Sequence, residues 1–131
     1  EELGIWRFEA GKVLRYVKAG ALIPAGEAVQ FDSSVAGGSP LLIGHQVIAA
    51  IGATNIFAGV AESTIASLRF GWVTMYGPAT ARVESLAPGS ALGPSLSTGV
   101  LTIRNTSHFN AVAVALASGL SAGSAVFISI L

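Results

Sequence analysis

The chain has 131 residues with seven basic and seven acidic side chains, and 52% of it is hydrophobic. A zero formal net charge lacks the basic excess of a nucleic-acid binder, and the absence of cysteine excludes disulfides and thiolate metal sites. Charge is unevenly spread: Glu1, Glu2, Arg7, Glu9, Lys12, Arg15, Lys18, Glu27 and Asp32 lie in residues 1–32, whereas residues 33–131 carry only Glu62, Arg69, Arg82, Glu84 and Arg104.

In chain order, the short runs rich in Val, Ile, Thr and aromatics, separated by Gly and Pro, predict strands. They fall near 3–9, 13–18, 28–32, 45–51, 56–61, 70–76, 79–84, 100–104, 111–116 and 125–130. "VLRYVKA" alternates, with Val13, Arg15 and Val17 on one face and Leu14, Tyr16 and Lys18 on the other. "SSVAGGSP" at 33–40 is a loop. Ser63–Leu68 is the one helical candidate, capped by Ser63. Gly77-Pro78 predicts a hairpin turn between "WVTMYG" and "PATARVE". "RNTSHFN" reads as a polar loop between two strands, and its Asn105-Thr106-Ser107 is a glycosylation-type tripeptide of a kind that chance often produces.

One phrase recurs: Ile23-Pro24-Ala25-Gly26-Glu27-Ala28-Val29, Leu86-Ala87-Pro88-Gly89-Ser90-Ala91-Leu92 and Leu120-Ser121-Ala122-Gly123-Ser124-Ala125-Val126. Gly at the third turn position suits a type II turn, and each copy is expected to launch a strand into the core. The unequal spacing of the copies excludes a solenoid.

The fold class expected is all-β: a small β-barrel or compact sandwich of short antiparallel strands. Residues 1–18 form either an extended N-terminal arm or simply the first strands, and 19–131 form one all-β domain. The charge-free runs 33–61 and 111–131 are broken by Gly and Ser and lack Lys/Arg flanks, so no transmembrane helix is expected. Glu1-Glu2 is the opposite of a signal peptide's basic start.

Catalytic groups are scarce. Gly119-Leu120-Ser121-Ala122-Gly123 matches G-x-S-x-G, but a strand-like run follows where a helix is required, and no Asp or His comes after Ser121. Glu84 is accounted for by Arg82 on the same predicted strand face. His45 and His108 lack a second ligand at metal spacing, a single Asp cannot build a calcium loop, and no phosphate loop occurs. No enzyme activity, metal or cofactor is therefore expected. Only 11% of the residues are charged, against about 25% in an average domain, which suits a body largely covered by other subunits. Trp6, Arg7, Phe8, Arg15, Tyr16, Trp72 and Phe109 are the candidate interface residues, because a charged, aromatic-bearing first strand is suited to pairing with a partner's sheet edge.

Two segments carry a resemblance: "YVKAGALIPAGEAVQFD" (16–32) and "FAGVAESTIASLRFGWVTMYGPATARVE" (57–84). Gly26 with Ala28-Val29, Gly59-Val60-Ala61-Glu62, Gly71-Trp72-Val73, Tyr76-Gly77 and Ala79–Val83 resemble the capsid decoration, or cement, proteins of tailed bacteriophages and related head-fibre base domains. The final "LASGLSAGSAVFISIL" departs from that pattern. The resemblance implies a small all-β domain on the outer capsid surface of the virion, assembled as a homotrimer. There it would bind the major capsid protein and stabilise contacts between its subunits, with no nucleic-acid or membrane partner. The alternative is a receptor- or glycan-binding head- or tail-fibre domain. An outer-membrane or secreted β protein would need longer, more regular strands.

Overall fold

The computed structural model describes residues 3–32, 45–50, 57–86, 89–95, 98–103, 113–116 and 119–129. The chain is all-β, as expected. Its strands are β1 (Trp6–Glu9), β2 (Lys12–Ala19), β3 (Ala28–Phe31), β4 (Gln46–Ala49), β5 (Phe57–Ala61), β6 (Phe70–Leu86), β7 (Ala91–Pro94), β8 (Leu101–Ile103), β9 (Ala113–Ala115) and β10 (Gly119–Ser129).

The pairings close into two rings that share β6. One runs β2-β4-β3-β5-β6 and back to β2, and the other runs β6-β10-β9-β7-β8 and back to β6. Most strands are short and most pairs antiparallel, as expected, with two parallel pairs and two long strands as exceptions. A ring with an odd number of strands cannot alternate direction all the way round, so one pair in each must be parallel. Here these are β2–β4, through Lys18↔Gln46 and Ala19↔Val47, and β6–β8, through Val83↔Leu101. β6 spans 17 residues and β10 spans 11, because β6 must serve both rings and β10 runs along it.

The predicted hairpin at Gly77-Pro78 does not form. β6 continues through it and changes partners there: Val13 pairs with Tyr76 on the first ring's side, while Ile128 and Phe127 pair with Gly77 and Pro78 on the second's. Gly77 has φ +107, and a Cβ there would lie 2.5 Å from the Gly11 carbonyl oxygen. The Gly-Pro pair thus lets the chain bend beneath the β1–β2 turn without reversing. The expected helix at Ser63–Leu68 is replaced by an isolated bridge, Ile65↔Ile23, and a turn closed by Arg69 N–H donating to the Ala66 carbonyl at 3.0 Å.

That bridge has a pseudo-two-fold character. Ile23 and Ile65 exchange backbone hydrogen bonds, Gly26 donates to Ala61 as Leu68 donates to Ala19, and Ala61 donates to Glu27 as Ala19 donates to Arg69. Two crossing loops lock each other, with Ile23 and Ile65 fully buried between them.

The repeated phrase forms the expected turn and strand in its first copy and launches the expected strand in its second, whose Ala87 and Pro88 lie outside the described residues. Gly26 (φ +83) closes a turn in which Glu27 N–H donates to the Pro24 carbonyl, and β3 starts at Ala28; Gly89 (φ +81) precedes β7 at Ala91. The third copy is no turn. Residues 120–126 lie inside β10, whose pairing with β6 carries register shifts between Gly119 and Ser121 and between Ser121 and Ser124. The same Gly/Ser softness that permits a turn here permits bulges.

Each ring holds a core. Val17, Ala19, Ile23, Val29, Val47, Ala58, Ala61, Ile65 and Val73 fill the first. Ala81, Val83, Leu92, Leu101, Ala113, Ala115, Val126 and Ile128 fill the second, joined by Ala28, Ala50, Phe57 and Val60 from first-ring strands or their flanks. β5 is consequently buried along its whole length. Its register slips from Val29↔Gly59 to Gln30↔Phe57, and this bulge keeps Phe57 and Val60 on one core and Ala58 and Ala61 on the other.

Candidate interaction surface on the N-terminal hairpin

β1 and β2 form a hairpin with register Trp6↔Arg15, Arg7↔Leu14, Phe8↔Val13 and Glu9↔Lys12. The two-residue turn is Ala10-Gly11, with φ +48 and +76. Positive φ at both positions is the type I′ geometry that matches the twist of the flanking strands.

β2 then lies along β6, with Tyr16 opposite Trp72 and Lys18 opposite Phe70. Val17 and Val73 point to the first core, so their neighbours Tyr16 and Trp72 face outward. The result is a ladder of side chains on the outer face. The Arg7 guanidinium sits 4.3 Å above the Trp72 ring, Tyr16 lies 5.0 Å from Trp72 at an interplanar angle of 55°, and Tyr16 stacks on Phe70 at 6.0 Å and 13°. Arg7 is also held by Glu9, Nε to Oε2 at 3.1 Å. Cation–π contacts of this kind are worth about 0.5–1 kcal/mol at exposed sites.

Toward the second ring, Lys12 Nζ donates to Glu62 Oε1 at 3.1 Å, and the Thr74 hydroxyl donates to the same oxygen. This cluster borders a cleft of about 320 Å³ lined by Lys12, Ala61, Glu62, Pro78, Ala79, Thr80 and Ala125.

The opposite face of the hairpin is different. Trp6 and Phe8 are 45% and 73% exposed. Arg15 turns toward the mouth of the first ring, where its Nη2 donates to His45 Nδ1 at 3.1 Å and its guanidinium lies 5.1 Å from the Phe31 ring. An arginine can only donate, so Nδ1 is the acceptor in this contact. Burial pushes the Arg15 pKa below its usual value.

The structure therefore brings Arg7, Tyr16 and Trp72 together on one face, puts Trp6 and Phe8 on the other, and sets Arg15 apart with His45. Phe109, His108 and the "RNTSHFN" loop lie outside the described residues, as does the 33–40 loop. Phe70, Phe31 and His45 belong to these clusters, although the sequence did not place them among the interface candidates. The i, i+2 spacing of Phe70 and Trp72 on one strand was the available signal. Among the described residues, no group of three His, Cys, Asp or Glu side chains could hold a metal ion, and no helix is long and apolar enough to cross a membrane.

No family model and no curated protein matches the chain. Among solved structures, the fold is similar to the N base of the head fibre gp8.5 of bacteriophage phi29, with a TM-score of 0.66 and 13% identity over 90% of this chain and 94% of that one. At that identity the likeness is one of fold.

Proposed function

We propose that this chain is a structural protein of a phage virion. It would bind the outer surface of the capsid as a homotrimer and stabilise contacts between major capsid protein subunits. The observation that carries this reading is the fold likeness to a head-fibre base, which extends over nearly all of both chains. The charge-poor body and the exposed apolar side chains Ile5, Trp6, Phe8, Leu22, Leu68 and Phe70 support it, since stable interfaces exclude charge from their centres.

Light scattering on purified protein tests the trimer, and a particle of 13.2 kDa at high concentration would count against it. Adding the protein to undecorated heads and measuring their heat resistance tests the stabilising role. Absence of both binding and protection would defeat this reading.

A second reading, a receptor- or glycan-binding fibre domain, is favoured by the same neighbour, which is itself part of a head fibre. The outward aromatic ladder would then meet a ligand chiefly through Phe70, its exposed member, with Arg7 lying over Trp72 beside it. A glycan array separates the two, since a stabilising clamp needs no sugar.

A further inference from the structure

Every strand from β2 to β10 has at least two neighbours, because each belongs to a closed ring. Among the described residues, β1 alone pairs on one side only. An unpaired strand edge is a template for another strand, and proteins that keep such an edge free of partners shorten it, bulge it, or place Pro or repelling charge on it. β1 reads Trp6-Arg7-Phe8-Glu9, four exposed residues without Pro, and its two charges have opposite signs, so a second antiparallel copy meets them as complements rather than as repelling charges.

The hydrogen-bond phase of this edge can be read. Tyr16 N–H donates to the Ile5 carbonyl at 2.9 Å, so Trp6↔Arg15 is a pair without hydrogen bonds of its own. By alternation, Arg7 and Glu9 direct their backbone groups to β2, while those of Trp6 and Phe8 point to the open side.

We infer that two copies of this chain join edge to edge through β1, antiparallel, about a two-fold axis at Phe8. The sequence selects both occupant and register. With Phe8 opposite its own copy, the two Phe8 backbones exchange N–H and C=O bonds, and Arg7 of each subunit stands opposite Glu9 of the partner subunit. Opposite charges meet twice, in the close-set positions between hydrogen-bonded pairs. Shifting by one pair centres the axis on Arg7 and sets two guanidinium groups against each other. A head-to-tail strand contact between copies would need a second open edge, and the described residues offer none. Strand pairing between copies is therefore isologous and closes after two.

This inference goes beyond the proposed function and stands without it. If the basic unit is a trimer, β1 joins two trimers; if it is a monomer, β1 makes a dimer. The mass then doubles for a monomer, and for a trimer whose three β1 edges meet those of one second trimer.

The test is light scattering and sedimentation of the full chain over a rising concentration series, with variants. Phe8→Pro removes only the outward N–H, so the β1–β2 ladder stays intact. Arg7→Glu and Glu9→Arg place like charges opposite, and the double variant Arg7→Glu/Glu9→Arg restores the complement. The wild type is expected to double in mass relative to Phe8→Pro, each single reversal to stay at the undoubled mass, and the double reversal to regain doubling. Circular dichroism checks that each variant folds; because Arg7 and Glu9 also pair within the chain, an equimolar mixture of Arg7→Glu with Glu9→Arg, complementary only between chains, decides should Phe8→Pro fail to fold, and it is expected to regain doubling. Equal masses for wild type and Phe8→Pro at every concentration overturn the inference. So does a double reversal that fails to recover what the single reversals lose. If the wild type stays undoubled while Phe8→Pro loses binding to undecorated heads, the edge takes a capsid strand, and self-pairing is refuted. Head binding and mass doubling are separate readouts, so failure of the one leaves the other standing.

Discussion

At the scale of single residues, Gly59 shows how one missing side chain shapes two cores. Its φ is +145, and a Cβ would stand 2.4 Å from the Thr74 carbonyl oxygen. That close approach of β5 to β6 permits the bulge that divides Phe57, Ala58, Val60 and Ala61 between the cores. Gly59→Ala is expected to destabilise the fold by about 2–4 kcal/mol, combining backbone strain with a clash. Urea unfolding monitored by fluorescence measures it. The glycine was visible in "FAGVA", but the demand on it was not, because the demand comes from Thr74 on another strand. Arg7 and Trp72 were each singled out from the sequence. Their contact depended on the register between β2 and β6, which no local pattern encodes.

At the scale of elements, the crossing loops 20–27 and 62–69 are related by their exchanged hydrogen bonds but not by their turn residues. The first turn has Gly26 at its positive-φ position, whereas the second has Leu68 with φ +61. A leucine in left-handed geometry costs roughly 1–2 kcal/mol, and this side chain is 60% exposed, so burial returns little within the protomer. Leu68→Asn, a residue that tolerates this geometry, is expected to raise the melting temperature by a few degrees in thermal unfolding. An unchanged or lower value would mean that the Leu68 side chain contributes more than its exposure suggests.

The loop also explains the failed helix. Ser63 to Leu68 has suitable end signals, but Ile65 must exchange backbone hydrogen bonds with Ile23, and a helix would consume those groups internally. Most strands were legible from alternation and from Gly/Pro punctuation. The long ones were not, since the Gly-Pro and Gly-Ser steps that bend β6 and interrupt the register of β10 carry the same local signature as turns.

At the scale of the whole molecule, β6 and the shared residues Ala28, Ala50, Phe57 and Val60 make each ring incomplete without the other. Glu27 ties them again: its Oε2 accepts from Arg82 Nη1 at 2.7 Å, and Arg82 N–H donates to the Gly26 carbonyl. A charged hydrogen bond of this kind contributes roughly 1.5–3 kcal/mol. Glu27→Gln should lower stability toward that amount while leaving one cooperative transition, with tryptophan fluorescence and far-UV circular dichroism coincident. Two separated transitions in either protein would show that the rings are independent units. The all-β class could be read from the sequence because it follows from composition and spacing. Ring closure could not, since it depends on pairings such as Val13↔Tyr76 that lie far apart along the chain.

The shared strand also sets an order of events during synthesis. Within residues 1–131 the β1–β2 hairpin is the first pairing that vectorial emergence allows. β2 and β5 must then wait for residues 70–76, and the second half of β6 waits in turn for β10 at the far end. Distant pairings fold slowly, in about milliseconds to seconds. Through that interval the emerging strands expose apolar side chains, such as Val17, Val29 and Val60, that the finished fold conceals.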